Sequence, residues 1–438
     1  MRTLCKYSDL VVCSTDKISH TASIECIHWY RKACLDRLLS AAFNKHPYPS
    51  MLENEPLLEF TPWEVDSVFK PAILFGMAKQ HKRATDPMAY RWITGACSDI
   101  SKPLSDEALR ILTFLWDIAR DDCDQLWKDT GAKAFWSIDS MDIVPLNADV
   151  TECRPNRQPS AFDLEKCFES IPITNTEHSL ISRISCFLDL VWKEKHHVSS
   201  EKHPWKPGPK QECFWSVDTG EFSYSKERVL ELCLEVTKHA IVTVGNCALL
   251  QAVGIPMGLS VSVIFLNIYM FTYEYEFTQR MIIAAPHMIE HSKEFYRYVD
   301  DLGNFSDLDL RPFLTKLDSK PTSWDWIYPM APWEPLSMTD QTDRSDLRKK
   351  VIYLNLEFTL THGYLSYQWH DKIKVYKALS LPTCSYTHWS SALSYASKMG
   401  TVKSQVRAVI IASSSLAQCR TSLSNLLDKF VNIGYPCR

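Results

Sequence analysis

The hydrophobic and polar positions along the chain fall into two rhythms. Over residues 104–130, "LSDEALRILTFLWDIARDDCDQLWKDT", Leu109, Leu112, Phe114, Leu115 and Ile118 recur at helical spacing. After the proline-rich "HPWKPGPK" (203–210), a loop by composition, "SKERVLELCLEVTKHAIV" carries an apolar stripe behind Ser225, a residue suited to capping a helix start. "ASIECIHWYRKACLDRLLSAAF" also reads as helix, stopping near "NKHPYPS". The other rhythm is that of strands. "SAFDLEKCFESIP" (160–172) begins as a strand that delivers Asp163, "FYRYVDDLGNF" (295–305) reads as a hairpin, and "VIYLNLEFTLTHGYLSYQW" (351–369) as a second hairpin turning at His362-Gly363. Residues 321–340 hold four prolines and three tryptophans in no regular period, which predicts an ordered irregular connection. The rest is helical by pattern, so the chain reads as α+β with strands concentrated between 160 and 370.

Composition narrows the class. At 438 residues and 45% hydrophobic, the chain has material for two or three domains or one multi-lobed enzyme. No run of eighteen apolar residues occurs, so no membrane span is expected. The opening "MRTLCKYSDLVVCSTDK" lacks the apolar stretch and cleavage site of a secretory signal. Fifteen cysteines without a CxxC pair suit reduced, buried thiols and disfavour a zinc ribbon, which together predict an intracellular protein, nuclear or cytoplasmic. The net charge of −4 hides an asymmetry. Residues 368–438 hold nine basic side chains against Asp371 and Asp428, and residues 69–103 hold six against Asp86 and Asp99. Two basic lobes around an acidic middle suit a polyanion gripped at two places, although either patch alone is ordinary solvated charge.

The chemistry gathers in that middle. Asp300 and Asp301 are adjacent, and like charges this close repel unless a cation or an acid–base task holds them. Asp163 supplies a third carboxylate, on a strand expected to neighbour the first two. Such a set can clamp two Mg²⁺ ions about 3.5–4 Å apart for an in-line phosphoryl displacement, Mg²⁺ being a hard ion that prefers oxygen ligands. Glu165 reads as surface charge. Between the carboxylates lies "LLQAVGIPMGLSVSVIFLNIYM", where Gly254, Pro256 and Gly258 form a tight loop open to close approach by a ligand and lead into a helix. Each piece alone is common; their order is not.

In that order the blocks resemble reverse transcriptases, and "AKQHKRATDPMAYRWITG" (78–95) extends the resemblance to Penelope-like elements and related eukaryotic retroelement polymerases. "FDLEKCFESIP", "LLQAVGIPMG", "YVDD", "YLNLEFTLTHGYLSYQWHDKIKVYK", "SQVRAVIIASSS" and the closing "GYP" follow the family's sequence of blocks over roughly residues 60–436. The resemblance implies a right-hand polymerase with fingers (61–150), a palm with an antiparallel sheet (151–320, including a connection at 190–225), a palm end and hairpin (321–370) and a helical thumb (371–438), behind a helical extension at 1–60. It implies that Asp163, Asp300 and Asp301 bind two Mg²⁺, with Mn²⁺ a substitute, and carry catalysis. Lys79, Lys82 and Arg91 would contact the incoming nucleotide, and Phe168 would be the steric gate that selects deoxynucleotides. Gln251, Gly254, Pro256 and Gly258 would meet template and nucleotide. Lys398, Lys403 and Arg407 would track the hybrid backbone. The implied partners are an RNA template, a DNA primer and deoxynucleoside triphosphates, with DNA cleavage left to a separate endonuclease.

Three positions depart from the family: Leu259-Ser260-Val261-Ser262 where a small residue and a proline are usual, Asn355 where an aspartate is common, and Gly303 in place of an aliphatic. An RNA-directed DNA polymerase is therefore set against a catalytically inactive, nucleic-acid-binding derivative of one. An RNA polymerase of the same architecture is disfavoured by Phe168 and the fingers block.

Overall fold

A computed structural model of the chain describes residues 9–14, 22–38, 43–45, 72–79, 90–95, 102–147, 152–164, 167–174, 176–200, 213–217, 223–238, 240–244, 247–251, 253–314, 327–328, 338–343, 350–370 and 386–436. Lys82, Glu165, the 203–210 loop and most of 321–340 lie outside them.

Strands β1 (Leu10–Ser14) and β2 (Ala22–Cys26) pair antiparallel, and α1 (Ile27–Leu38) follows. The helix expected from residue 22 thus starts five residues late, and the N-terminal segment is a hairpin plus a helix. The reason is pairing: "LVVCS" offers "ASIEC" a complete ladder, and the Ile27 amide donates to the Asp9 carbonyl at 2.9 Å. Strand β3 (Phe43–Lys45) comes next, then β4 (Ala72–Ala78) and β5 (Tyr90–Gly95), an antiparallel pair with Met77 opposite Arg91. Strands are therefore not confined to 160–370.

Helix α2 (Lys102–Thr130) buries Leu104, Ala108, Ile111, Leu112, Leu115, Trp116, Ala119 and Cys123 along one face. Leu109, Phe114 and Ile118 are half-buried at the margin of that stripe. After α3 (Ile143–Asn147) come β6 (Ser160–Leu164), the short α4 (Cys167–Ser170), α5 (Leu180–Val191) and a small sheet of β7 (His197–Ser200), β8 (Cys213–Ser216) and β9 (Ser223–Tyr224). Helix α6 (Lys226–Lys238) has the expected cap, the Arg228 amide donating to Ser225 Oγ at 3.2 Å.

Strands β10 (Ile241–Val244) and β11 (Cys247–Gln251) do not join the palm. They complete the fingers sheet in the order β3-β11-β10-β4-β5, with β10 parallel to β4. Helix α7 (Ser262–Ala284) is buried almost all round, as a helix apolar on every side must be. Among the described residues, no helix is long and apolar enough to cross a membrane.

The palm sheet runs β12 (Phe295–Tyr298), β13 (Asp301–Asn304), β6 and β14 (Met338–Asp340), all antiparallel, with α8 (Arg311–Leu314) after β13. Its two faces differ. Phe162, Leu164, Phe295 and Leu302 pack into the large core formed with α2, α5 and α7. Ala161, Tyr296 and Phe305 pack into a second core with the sheet of β15 (Thr342–Asp343), β16 (Lys350–Tyr353), β17 (Leu356–Thr361) and β18 (Tyr364–Trp369). The expected hairpin at 351–369 is therefore a three-stranded meander. His362 and Gly363, both at positive φ, make one turn as expected, and Leu354-Asn355 make another.

Helices α9 (Tyr395–Ile411) and α10 (Leu416–Asn432) form the thumb pair. Gly434, at φ +89°, closes α10 with the Tyr435 amide bonded to the Phe430 carbonyl and its own to Val431, a Schellman motif.

Lys133 links the palm sheet to the segment after α2, its Nζ donating to the Phe295 carbonyl at 2.7 Å and lying 3.9 Å over the Tyr296 ring. Burial pulls its pKa down to about 7, against the opposing pull of Glu274 and Glu294. An unfolded lysine keeps its proton up to about pH 10, so between those values the unfolded chain binds a proton the folded chain lacks. Stability should rise with pH over that window, the full penalty being felt below pH 7. Lys133→Met should flatten this rise in urea midpoints measured from pH 6 to 10.

Candidate active site

The "YVDD" segment is a two-residue hairpin turn. Tyr298 pairs with Asp301, leaving Val299 and Asp300 as the turn residues, and Val299 sits at φ +59°. That is unusual for a β-branched side chain, and such positions store strain of about 1–3 kcal/mol. Beyond the turn, β13 pairs with β6 so that Asp301 stands directly opposite Asp163. Residues directly opposed in an antiparallel pair share a face of the sheet. Asp163 and Asp301 therefore project from the side of Ala161 and Gly303, away from the helical layer. The Asp300 carbonyl accepts from the Leu164 amide at 3.1 Å, which ties the turn to the end of β6. All three aspartates are half-buried. The Cys167 thiol at the start of α4 is pushed up, chiefly by burial and further by Asp300 and Asp163, so both carboxylates act on this spot.

The loop between the carboxylates docks on both neighbours. Gly254, at φ +92°, donates its amide to the Ile171 carbonyl at 2.8 Å, and a Cβ there would come within 2.7 Å of the Phe168 carbonyl. Ile255 donates to that same carbonyl at 2.6 Å. On the other side, Gly258 sits at φ +126° with a virtual Cβ 1.8 Å from the Thr94 carbonyl, and the Thr94 amide donates to the Met257 carbonyl at 2.9 Å. The loop thus joins α4, which carries Phe168, to β5, which carries Arg91. Arg91 alternates with the buried Trp92 and lies across from Met77, two residues before Lys79. The structure brings Asp163, Asp300 and Asp301 together at the end of β6, and through the loop connects Phe168 on α4 with β5, which bears Arg91 and pairs with β4, just beyond whose end Lys79 stands.

Three expected contacts are assigned differently. Gln251 is buried, its side-chain amide donating to the Val253 carbonyl at 3.2 Å, so it supports the loop from inside. Pro256 is also buried, with its carbonyl accepting from Ser262 Oγ. Lys398 is buried in the thumb, its Nζ donating to the carbonyls of Trp389 (2.6 Å) and Ser391 (2.8 Å), which leaves it no reach toward a phosphate backbone. Lys403 and Arg407, one helical turn apart, are exposed.

The departures from the family have local explanations. Ser260 donates to Asp106 at 2.6 Å and lies 2.8 Å from Ser105 Oγ, which in turn accepts from the Val261 amide at 3.1 Å, so hydroxyls secure the helix start where a proline is usual. Gly303 is covered by the Tyr353 ring, 3.0 Å from where its Cβ would be, so an aromatic from β16 takes the room of the missing aliphatic. Asn355 is half of the Leu354-Asn355 turn, and its carbonyl accepts from the His370 amide at 2.8 Å. Sequence reasoning missed Arg297, Glu274 and Tyr353 around the turn. A signal existed for one of them, Glu274, a carboxylate within the otherwise largely apolar "IYMFTYEYEF" run.

The donor set of the three aspartates is all oxygen, as a hard divalent ion requires. Among the described residues no three His, Cys, Asp or Glu side chains converge tightly enough to hold a metal ion by themselves. A site built by few carboxylates and completed by substrate phosphates suits Mg²⁺, which keeps few protein ligands. The residues fit such an ion.

The fold is the right-hand fold of polymerases: an α+β chain with a fingers sheet, an antiparallel palm and a helical thumb. Solved telomerase structures share it. The telomerase of Candida tropicalis in complex with a TWJ fragment of telomeric RNA superposes with a TM-score of 0.53 at 11% identity over 97% of this chain and 60% of its own. That of Candida albicans, also with a TWJ fragment of telomeric RNA, gives 0.51 at 14% over 97% and 68%. Apo telomerase from Candida tropicalis gives 0.51 at 11% over 97% and 64%. The chain thus spans between 60% and 68% of the length of these proteins. No family model matches the sequence, and no curated protein does.

Gly258→Ala should lower stability by roughly 3 kcal/mol, because the φ and the Thr94 carbonyl both exclude a Cβ. Gly400→Ala, in α9 with nothing within 4 Å of the added carbon, should raise it by roughly 0.5–1 kcal/mol. Urea denaturation of the two variants checks both signs.

Proposed function

We propose that this chain is an RNA-directed DNA polymerase that adds deoxynucleotides to a primer 3′-hydroxyl, and, on the blocks quoted from its sequence, that it belongs to a retroelement. The observation that carries the proposal is the opposition of Asp163 and Asp301 across β6 and β13, with Asp300 in the adjoining turn. The glycine loop joins α4, which follows β6 in the chain, to the Arg91 strand. Asp163, Asp300 and Asp301 would hold Mg²⁺, which when bound stabilises the attacking and leaving oxygens of an in-line displacement.

The remaining residues position and neutralise. Arg91, as a fork, and Lys79 and Lys82, as point charges, would balance the triphosphate. The Phe168 ring would lie beneath the sugar and leave no room for a ribose 2′-hydroxyl. The glycine loop lets backbone approach the nascent pair closely. Lys403 and Arg407 would follow the phosphates of an A-form hybrid, whose shape and backbone are what a protein reads. Catalysis of this kind is largely placement and charge balance. The neighbours bound to a fragment of telomeric RNA support RNA binding.

A binding scaffold without chemistry is the second reading. It is favoured by the departures from the family, Asn355 where an aspartate is common and Leu259-Ser260-Val261-Ser262 after the glycine loop.

Primer extension by the purified chain on a primed RNA template, with Mg²⁺ or Mn²⁺, separates the two. Metal-dependent incorporation of deoxynucleotides is expected, falling to background in Asp300→Asn/Asp301→Asn, while Phe168→Ala should admit ribonucleotides. Replacing Lys403 and Arg407 by alanine should weaken hybrid binding and reduce its log–log salt slope by roughly 1.5. A folded chain that binds hybrid and extends nothing would establish the scaffold.

A further inference from the structure

Under the aspartate turn lies a charged cluster assigned no role so far. Arg297, fully buried on β12, stands two residues before Val299. Its Nη1 donates to the Val299 carbonyl at 3.0 Å and to Asn267 Oδ1 at 2.8 Å, its Nη2 to the Asn267 carbonyl at 3.3 Å, and its Nε to Glu274. Glu274 is fully buried on α7, two helical turns beyond Asn267, and the same oxygen accepts from the Tyr328 hydroxyl at 2.8 Å. From the opposite face, the Tyr353 hydroxyl lies 3.1 Å from the Tyr296 carbonyl and 3.4 Å from that of Asp301. Its single proton favours the nearer, with the ring seated on Gly303.

Burying an ion pair loses the hydration of two charges, and an apolar pair of similar volume often serves stability as well or better. The location of this pair suggests a positional purpose. The guanidinium links the carbonyl of the strained Val299, immediately before Asp300, to Asn267 and Glu274 on α7. Its fork fixes direction as well as distance, which a lysine does not.

We propose that Arg297, held in orientation by Glu274, is a positioning residue for the Asp300–Asp301 turn, and that Tyr353 is its counterpart on the other face. The turn is braced at the carbonyl of Val299, immediately before Asp300, and the strand that enters it at the carbonyl of Tyr296, so the carboxylates present a fixed spacing before any substrate arrives. Its catalytic purpose rests on the polymerase reading; the brace itself does not.

Removing Arg297 alone would strand the Glu274 charge and threaten folding. The test therefore uses Arg297→Met/Glu274→Gln, which removes both charges and keeps an acceptor for Tyr328. Hydrogen exchange on the full chain should show the amides of 299–302 opening roughly tenfold faster, with α7 and β6 unchanged, as local opening requires. In primer extension kcat should fall roughly ten- to a hundredfold while the nucleotide KM and hybrid Kd stay within about twofold, the mark of an interaction needed only for chemistry. Arg297→Lys should recover part of both.

Unchanged exchange at the turn overturns the proposal, as does acceleration spread through α7. So does a kcat loss matched by equal loss of binding. Should the wild-type chain polymerise nothing, the polymerase reading falls and the exchange measurement alone decides the brace.

Discussion

The ladder between β6 and β13 is the constraint on which the site depends. Side chains along a strand alternate between faces, so a slip of one residue would exchange every inward position for an outward one. Here Phe162, Leu164 and Leu302 are held in the helical core. That burial leaves Asp163 and Asp301 the other face and sets them opposite each other. A slipped register would drive carboxylates into the core and expose three large apolar groups. The hydrophobic effect, which has no direction of its own, thereby becomes the device that aligns two charges.

Around that ladder, polar groups are used where packing alone gives no direction. Arg183 on α5 bonds Thr272 on α7 at 2.8 Å and lies 3.9 Å from the Tyr273 ring, which locks the two helices behind the sheet. Arg154 and Arg157 both meet Glu294, at the entry to β12. The Ser105–Ser260–Asp106 group fastens α2 to the helix that leaves the glycine loop. Each joins elements distant in sequence, so the framework that carries the site is fixed from several sides by groups with preferred angles as well as distances.

What was legible in the sequence was local. The α2 stripe, the Ser225 cap, the strand at Asp163, the "YVDD" turn and the His362-Gly363 turn are each specified by residues within a few positions of one another. The losses are of three kinds. Five residues, "ASIEC", fit helix or strand equally, and only the partner strand decides. Leu354-Asn355 turns without glycine or proline, so no punctuation marks it. Lys398 and Gln251 read as ligand-facing through the family resemblance, whereas both are buried with backbone carbonyls as partners. The cluster of Arg297 and Glu274 was out of reach because its members only meet through the packing of α7 on the sheet.

The fingers sheet has a consequence for how the chain is made. Strand β4 pairs with β10 through Val242 and Ala72, a separation of 170 residues. At ribosomal rates of roughly 5–20 residues per second, the hairpin of β4 and β5 waits on the order of ten to thirty seconds for its partner. Throughout that interval β4 has an open edge, and Ile73 and Phe75 face solvent even in the finished sheet. Unpaired edges bearing apolar side chains recruit other strands. Newly emerging chains on neighbouring ribosomes are therefore the competitors that β10 must outrun, and holding them apart is a task for chaperones during synthesis.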